Sequence, residues 1–332
     1  MPRRSPVQIW WLVPIVAALA LPPLLNSYWL HVISVSWYYA ILAASWALLA
    51  GYAGQFSFGH MAFAAIGGYA SGLLAVDLRV PVPLGILCGF VAAGIVGAAI
   101  GWLCLRMRGP YLSLFTLAFA LIFQLILIAE YQFTRGSLGL SVPGLFAGRS
   151  DTPYYYTGFI LLLVSLSAMI FLLRSRVGIF LRALREDEDA AEACGIDTSL
   201  YKILVFAITS AVAGLAGGFY GHFVGILTPN LVTIPEMGLV VAMAVVGGVE
   251  SLSGAVVGAV FVYVLSEVLR DTGQMRFVVL GLLIMLTQRY AQNGLWTLAL
   301  GRGSRLSWRK PVTRAVEPEA AATAVERETN VG

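Results

Sequence analysis

The sequence predicts an all-α, polytopic membrane protein. Two compositional facts and one pattern predict it. Hydrophobic residues make up 59% of the chain and charged residues 11%, against about 25% charged in ordinary soluble domains. Mean hydropathy is +0.84, an apolar excess that lipid takes as solvent and a soluble core accommodates with difficulty. The apolar runs are continuous, not alternating, which excludes the strands of a membrane barrel. The 35 glycines fit the same picture, because small residues let helices approach closely in lipid.

Apolar segments follow one another at 9–25, 32–50, 58–76, 84–105, 111–129, 154–173, 203–227, 236–249, 254–268 and 276–290. A perpendicular crossing needs about 20 residues. Several segments fall short of that length, and 58–76, 236–249 and 254–268 are the candidates for re-entrant or broken helices, for about eight to ten membrane or re-entrant helices in all. Residues 1–301 thus form a membrane domain and 302–332 a tail. The tail opens with a basic cluster (Arg302, Arg305, Arg309, Lys310, Arg314) suited to anionic lipid headgroups. It continues Ala/Glu-rich, a composition expected to be disordered. At the other end, a basic start and an apolar core resemble a signal peptide, with Ala18-Leu19-Ala20 as a cleavage site. The apolar run continues through Leu21 to Leu25, which favours a retained first helix.

A cytoplasmic N-terminus leaves only Arg79, Arg135, Arg149, Arg270 and Arg276 outside. The remaining basic residues, including Arg106, Arg108 and those of the tail, fall inside, the distribution that cytoplasmic loops favour. Both termini are then cytoplasmic.

Several functions find no support. Cys88, Cys104 and Cys194 match neither a zinc spacing nor a disulfide framework. The two lysines, Lys202 and Lys310, do not follow the glycine spacing of a nucleotide-binding P-loop. An ATP-driven process would need its motor on another polypeptide. Three scattered histidines make a weak basis for a membrane enzyme, and neither HExxH nor GxSxG occurs. No cofactor, metal or nucleic-acid partner is expected.

One segment breaks the apolar character. Residues 174–202 hold eleven charges, five basic and six acidic, between apolar neighbours. Residues 179–194 read as a helix with a thin apolar face of Phe180, Leu184, Ala191 and Cys194. Gly195 supplies a left-handed end and Asp197 or Thr198 caps the next helix.

Two glycine-rich breaks, 51–59 and 247–254, interrupt apolar sequence. Irregular backbone at membrane depth is tolerated where protein or water satisfies it. A pair of such breaks points to a binding region between repeats, and an inverted internal repeat is the expected arrangement. Gln55, Ser57, His60, Gln124, Glu250 and Ser251 are the candidate pathway residues. His60 alternatively serves as a structural, hydrogen-bonded histidine. Glu130 and Glu236 are expected at the outer interface, Glu250 at the inner one, and Glu267 paired with Arg270 at i+3. The glycine pairs Gly97/Gly101, Gly214/Gly218 and Gly254/Gly258 suit packing within the subunit. Tyr154-Tyr155-Tyr156, with Trp10 and Trp11, reads as interfacial anchoring.

Asp189-Ala190-Ala191, three residues, Gly195, nine residues and Val205 resemble the EAA loop of bacterial ABC importer permeases. Asp stands for the Glu of that pattern, and its terminal Leu-Pro is absent. The runs GQFSFGHMAF from Gly54, RALREDEDAAEACGI from Arg182 and VGGVESLSG from Val246 are similar to landmarks of one group. These are the permease subunits of branched-chain amino acid ABC importers, and the order holds over residues 35–290. TRGSLGL from Thr134 approximates the group's extracytoplasmic TGG-x-x-GL segment, with Arg135 in place of a glycine.

The resemblance implies a transport subunit without its own ATPase, in the bacterial inner membrane. Its partners would be two ATP-binding cassette subunits, a second homologous permease (a heterodimer, with a homodimer as the alternative) and an extracytoplasmic solute-binding protein. It assigns Arg182, Arg185, Asp189, Ala190, Ala191, Glu192 and Gly195 to ATPase coupling. The solute would be a branched-chain or other hydrophobic amino acid, with urea or short amides as the alternative within the family. Outside the family, an ion-coupled secondary transporter is the rival, resting on Glu250 and Glu267.

Overall fold

The computed structural model describes residues 18–105, 107, 109–146, 148, 150–273, 275–291 and 294. Most of the expected first span, Trp10 and Trp11, Arg106, Arg108 and the tail 302–332 lie outside the described residues. The helices are α1 (Ser27–Ala47, continued by a π-turn over Leu48–Tyr52), α2 (His60–Asp77), α3 (Val82–Leu103) and α4 (Pro110–Ala129). After them come α5 (Thr152–Arg174), α6 (Arg176–Glu186), α7 (Glu188–Ala193) and α8 (Thr198–Val224). The chain continues through α9 (Ile234–Gly247), α10 (Leu252–Val268) and α11 (Met275–Tyr290). Each apolar segment from 32–50 onward coincides with one of these membrane helices.

Among the described residues, five helices are long and apolar enough to cross a bilayer: Ser27–Tyr52, Val82–Leu103, Pro110–Ala129, Thr152–Arg174 and Thr198–Val224. α9 and α10 are shorter, as their segments predicted. Proline opens α3, α4, α5 and α9 within the first two positions, where its missing N–H would have had no helical partner anyway. One feature was unforeseen. Strands β1 (Leu140–Ser141) and β2 (Ile226–Leu227) pair antiparallel, Leu140 opposite Leu227. Two residues are too few to show an alternating pattern in sequence.

The bundle has two parts. In the first, α2, α3 and α8 meet backbone to backbone. A Cβ on Gly67 would overlap Gly214, and one on Gly217 would overlap the Ala64 carbonyl. Gly97 and Gly101 of α3 face Ser210 and Phe206 of α8. The glycine pairs therefore act inside the subunit, Gly254/Gly258 included, against Gly247 and Met243 of α9. Around this centre, α4 and α5 turn Leu114, Ile122, Leu125, Ile160, Val164 and Phe171 outward, the apolar surface that lipid covers.

In the second part, the nearly fully buried α1 packs on α9 and α10 at three levels. Tyr28 Oη donates to Glu267 Oε1 at 2.6 Å near the start of α1. Midway, Tyr39 Oη donates to Glu236 Oε2 at 2.8 Å. At the far end Tyr52 Oη donates to the Glu250 carbonyl at 2.7 Å, and Gly51 lies on Val249. α1 and α9 thus run in the same direction and reach their breaks at the same end of the bundle. The two breaks are related in a parallel sense, side by side, and not by the expected inversion.

A second difference concerns the tyrosine run. Tyr155 is fully buried and Tyr154 is 7% exposed. The Tyr155 hydroxyl donates to the Ala18 carbonyl at 2.7 Å, and its ring meets Trp37 edge-on at 5.8 Å. Tyr155 thus fastens the chain ahead of α1 to α5, and Tyr154 packs on Phe146 and Phe223, instead of facing headgroups.

Candidate coupling element and pathway residues

The charged segment folds as two helices, not one. Ser175 caps α6, its hydroxyl accepting from the Val177 amide at 3.2 Å. α6 ends at Asp187, whose extended backbone (φ −158°, ψ 110°) interrupts the helix expected over 179–194. The Asp187 carboxylate accepts from the Ala190 amide at 3.0 Å and so starts α7. Glu188 and Asp189 sit in the first turn of α7, where acidic groups complement the helix dipole. The Asp-Glu-Asp run is therefore an N-terminal signal.

The end of α7 follows the sequence. Gly195 has φ +83°, and the Ile196 amide donates to the Ala191 carbonyl at 3.1 Å while the Gly195 amide donates to Glu192 at 2.9 Å. This left-handed closure favours glycine. Asp197 then caps α8, accepting from the Leu200 amide at 3.0 Å.

The inward face of the pair is Leu181, Leu184 and Ala191, all buried, with Phe180 tilted against Tyr201 at 5.0 Å. Asp189, Ala190, Glu192, Cys194 and Gly195 are exposed, and nothing approaches a Cβ built on Gly195. Cys194, expected on the apolar face, lies outside it because the break at Asp187 resets the helical phase.

Three cations hold the element to the membrane helices. Lys202, 2% exposed, bonds the Glu188 carboxylate and lies 3.4 Å from the Leu105 carbonyl. It links α7 to the turn after α3. Arg185 bonds the Gly51 carbonyl with one guanidinium nitrogen and the Glu250 carboxylate with the other. Arg182 stacks over Tyr52 at 5.6 Å from the ring centroid. Both helix breaks therefore end on α6.

The pathway candidates divide. Gln55 is 8% exposed and lines a cavity of ≈ 200 Å³ with Gly54, Leu112, Arg185 and Asp187. Glu250 is engaged by Arg185, while Ser251 caps α10, accepting from the Gly254 amide at 3.1 Å. Ser57 is fully buried, and its hydroxyl accepts from the Gly59 amide at 3.1 Å. Gln124 stands apart on α4, its amide donating to the Pro229 carbonyl at 3.3 Å. His60 is 2% exposed, and neither ring nitrogen makes a hydrogen bond of good geometry, although the Ser45 backbone lies close. His222 instead bonds Ser71 at 2.8 Å and the Pro143 carbonyl at 2.7 Å. Glu267 and Arg270 pair at 3.0 Å, as their spacing predicted.

Sequence reasoning missed the surroundings of Glu236. The carboxylate meets Tyr39, twelve residues into α1 and so roughly 18 Å from its start. That is mid-helix depth, not the interface expected for it. Tyr263 stacks on Tyr39 at 5.0 Å, and Tyr220 stacks on Tyr38 at 4.4 Å. The Tyr38-Tyr39 doublet inside an apolar run was the available signal.

A many-helix membrane bundle with a short, doubly capped surface element tied to two helix breaks defines a membrane permease subunit. The family described as "Branched-chain amino acid transport system / permease component" matches residues 28–288, and the chain belongs to it. It is 30% identical over 313 residues to the high-affinity branched-chain amino acid transport system permease protein LivM of Salmonella typhimurium, covering 85% of this chain and 73% of that protein. The Escherichia coli LivM shows the same identity and coverage. To the Escherichia coli permease protein LivH it is 28% identical over 277 residues, covering 75% of this chain and 90% of that one. No solved structure matches the chain.

Proposed function

We propose that the chain is one transmembrane subunit of an ATP-driven, binding-protein-dependent importer of branched-chain or other hydrophobic amino acids. It sits in the inner membrane with both termini and the 174–202 segment in the cytoplasm. Two ATP-binding cassette subunits seat on the exposed small and acidic face around Asp189, Ala190, Glu192 and Gly195. A second permease of the same family completes the pathway. Similarity to both LivM and LivH favours a heterodimer. A soluble binding protein delivers the solute to the opposite side.

The observation that carries this reading is the position of Arg185. It joins the element that would meet the ATPases to both helix breaks. Closure of the ATPases would pull α6 and α7, and the pull would reach the ends of α1 and α9 through Arg185 and the start of α8 through Lys202. No covalent chemistry is asked of this chain. Its role is to hold two conformations with oppositely exposed pathways. In this scheme Gln55, Ser57, His60, Glu250 and Ser251 lie at or next to the moving joint, and Gln124 lies on the solute side.

Reconstitution with the cognate binding protein and ATPases tests the proposal, with leucine, urea and a sugar as competitors. ATP-dependent uptake blocked by unlabelled leucine is expected. Uptake that persists without ATP and collapses with an ion gradient would replace the proposal with a secondary transporter.

A further inference from the structure

Glu236 makes no ion pair among the described residues. One oxygen of its carboxylate accepts a hydrogen bond from Tyr39. The residue is half-exposed, as are Tyr220 and Tyr263, while Tyr38 and Tyr39 are buried. Tyr39 and Tyr263 stack at an interplanar angle of 28°, and Tyr38 and Tyr220 at 27°. Two stacked pairs, joined by the Tyr38–Tyr39 edge contact at 4.9 Å, thus border one carboxylate.

The depth of this group makes its half-exposed side informative. A carboxylate facing hydrocarbon is costly, so carboxylates at such depth face water or a partner charge. The chain leading into α9 supports the same conclusion. Residues Pro229–Val232 form a short 3-10 turn and α9 begins only at Ile234. Non-helical backbone at that depth requires protein or a water-filled cavity beside it. The first turn of α9 helps tolerate the charge through its dipole. It does not explain why four phenol rings gather there.

We infer that Glu236, with the rings of Tyr39, Tyr220 and Tyr263, receives the ammonium group of a zwitterionic amino acid in transit. The inference rests on the importer reading above and assigns the amine end of the solute. A carboxylate supplies the counter-charge and aromatic faces attract a cation, most strongly where water is excluded. Neutral solutes such as urea would gain little there.

The test uses the full complex in proteoliposomes. Three quantities are read: leucine uptake, ATP hydrolysis stimulated by the loaded binding protein, and co-purification of the second permease. For Glu236→Gln, uptake is expected to fall at least about tenfold, the scale of a lost desolvated cation contact. Stimulated hydrolysis and the permease pair should persist, and Glu236→Asp should recover part of the uptake. Unchanged uptake with Glu236→Gln overturns the site, and so does a loss that tracks dissociation of the permease pair, which would give the missing cation to the partner. Should Glu236→Gln fail to fold, Tyr263 decides. Tyr263→Phe keeps the ring and should keep uptake, whereas Tyr263→Leu should lose it, and equal behaviour of the two contradicts the inference. A wild-type complex without ATP-dependent leucine uptake would sink the importer reading and this site with it. Normal wild-type uptake beside an unaffected Glu236→Gln would sink the site alone.

Discussion

The α2–α3–α8 block and the α1–α9–α10 group are built from the same apolar alphabet and held together differently. In the block, glycines bring backbones into contact, so a relative shift of any helix meets backbone atoms at once. In the group, glycines close the α9–α10 contact and seat Gly51 on Val249, but α1 is tied to its neighbours by side-chain hydrogen bonds at three levels, and two helices break at one end under Arg185. Close small-residue packing suits a rigid frame. Polar ties between broken helices suit parts that change partners. The charged segment touches both, through Lys202 on the frame side and Arg185 on the jointed side.

Substitutions can break or sharpen that contrast. The largest effect is expected in the frame. Gly217→Val would drive a branched side chain into the Ala64 carbonyl, costing about 3 kcal/mol or more, and should abolish a folded, detergent-stable protein on size-exclusion chromatography. Wild-type-like melting would show the frame to be looser than described. Lys202→Met ranks next. It removes the Lys202 ammonium from the Glu188 carboxylate, only 18% exposed, at a cost of about 3 kcal/mol. Hydrogen exchange of the 188–193 amides should accelerate while the α8 interior stays protected. Equal protection would mean that α7 is held by its apolar face alone.

Arg185→Ala should barely affect stability, by less than about 1 kcal/mol, because its partner Glu250 is 70% exposed. Its effect belongs to transport: leucine taken up per ATP hydrolysed should fall several-fold, and an Arg185→Glu/Glu250→Arg exchange should restore part of it. An unchanged ratio would detach the breaks from the coupling element. His60→Leu removes two buried nitrogens that make no hydrogen bond of good geometry, so melting should hold or rise. Uptake should drop if His60 serves the joint, and normal uptake would remove it from the pathway set. The smallest effect is expected for Glu267→Gln, whose partners Tyr28 and Arg270 are both exposed at the end away from the joint. Both melting and uptake should match wild type.

The helices were legible because an apolar run of sufficient length has one solution in lipid. Gly195 and Asp197 were legible because end signals are local, set by a few neighbouring residues. The break at Asp187 used the same local chemistry, yet Ala, Leu, Arg and Glu around it favour helix strongly enough to mask a single cap. What sequence hid were pairings across distance. Nothing local joins Arg185 to Gly51 and Glu250, or Tyr39 to Glu236, because those contacts depend on which helices lie side by side. The placement of Glu236 failed for a related reason: segment length located α9 near the surface, whereas the turn before it carries the chain inward first.

The claim that the exposed face of α7 seats an ATPase is the one on which the others depend. Photo-crosslinking from position 190, where Ala190 is small and exposed, tests it most directly in native membrane vesicles. The account predicts a covalent adduct with the ATP-binding cassette subunit whose yield changes when a non-hydrolysable ATP analogue is added. Crosslinks to lipid alone, in vesicles that contain the assembled importer, would contradict it.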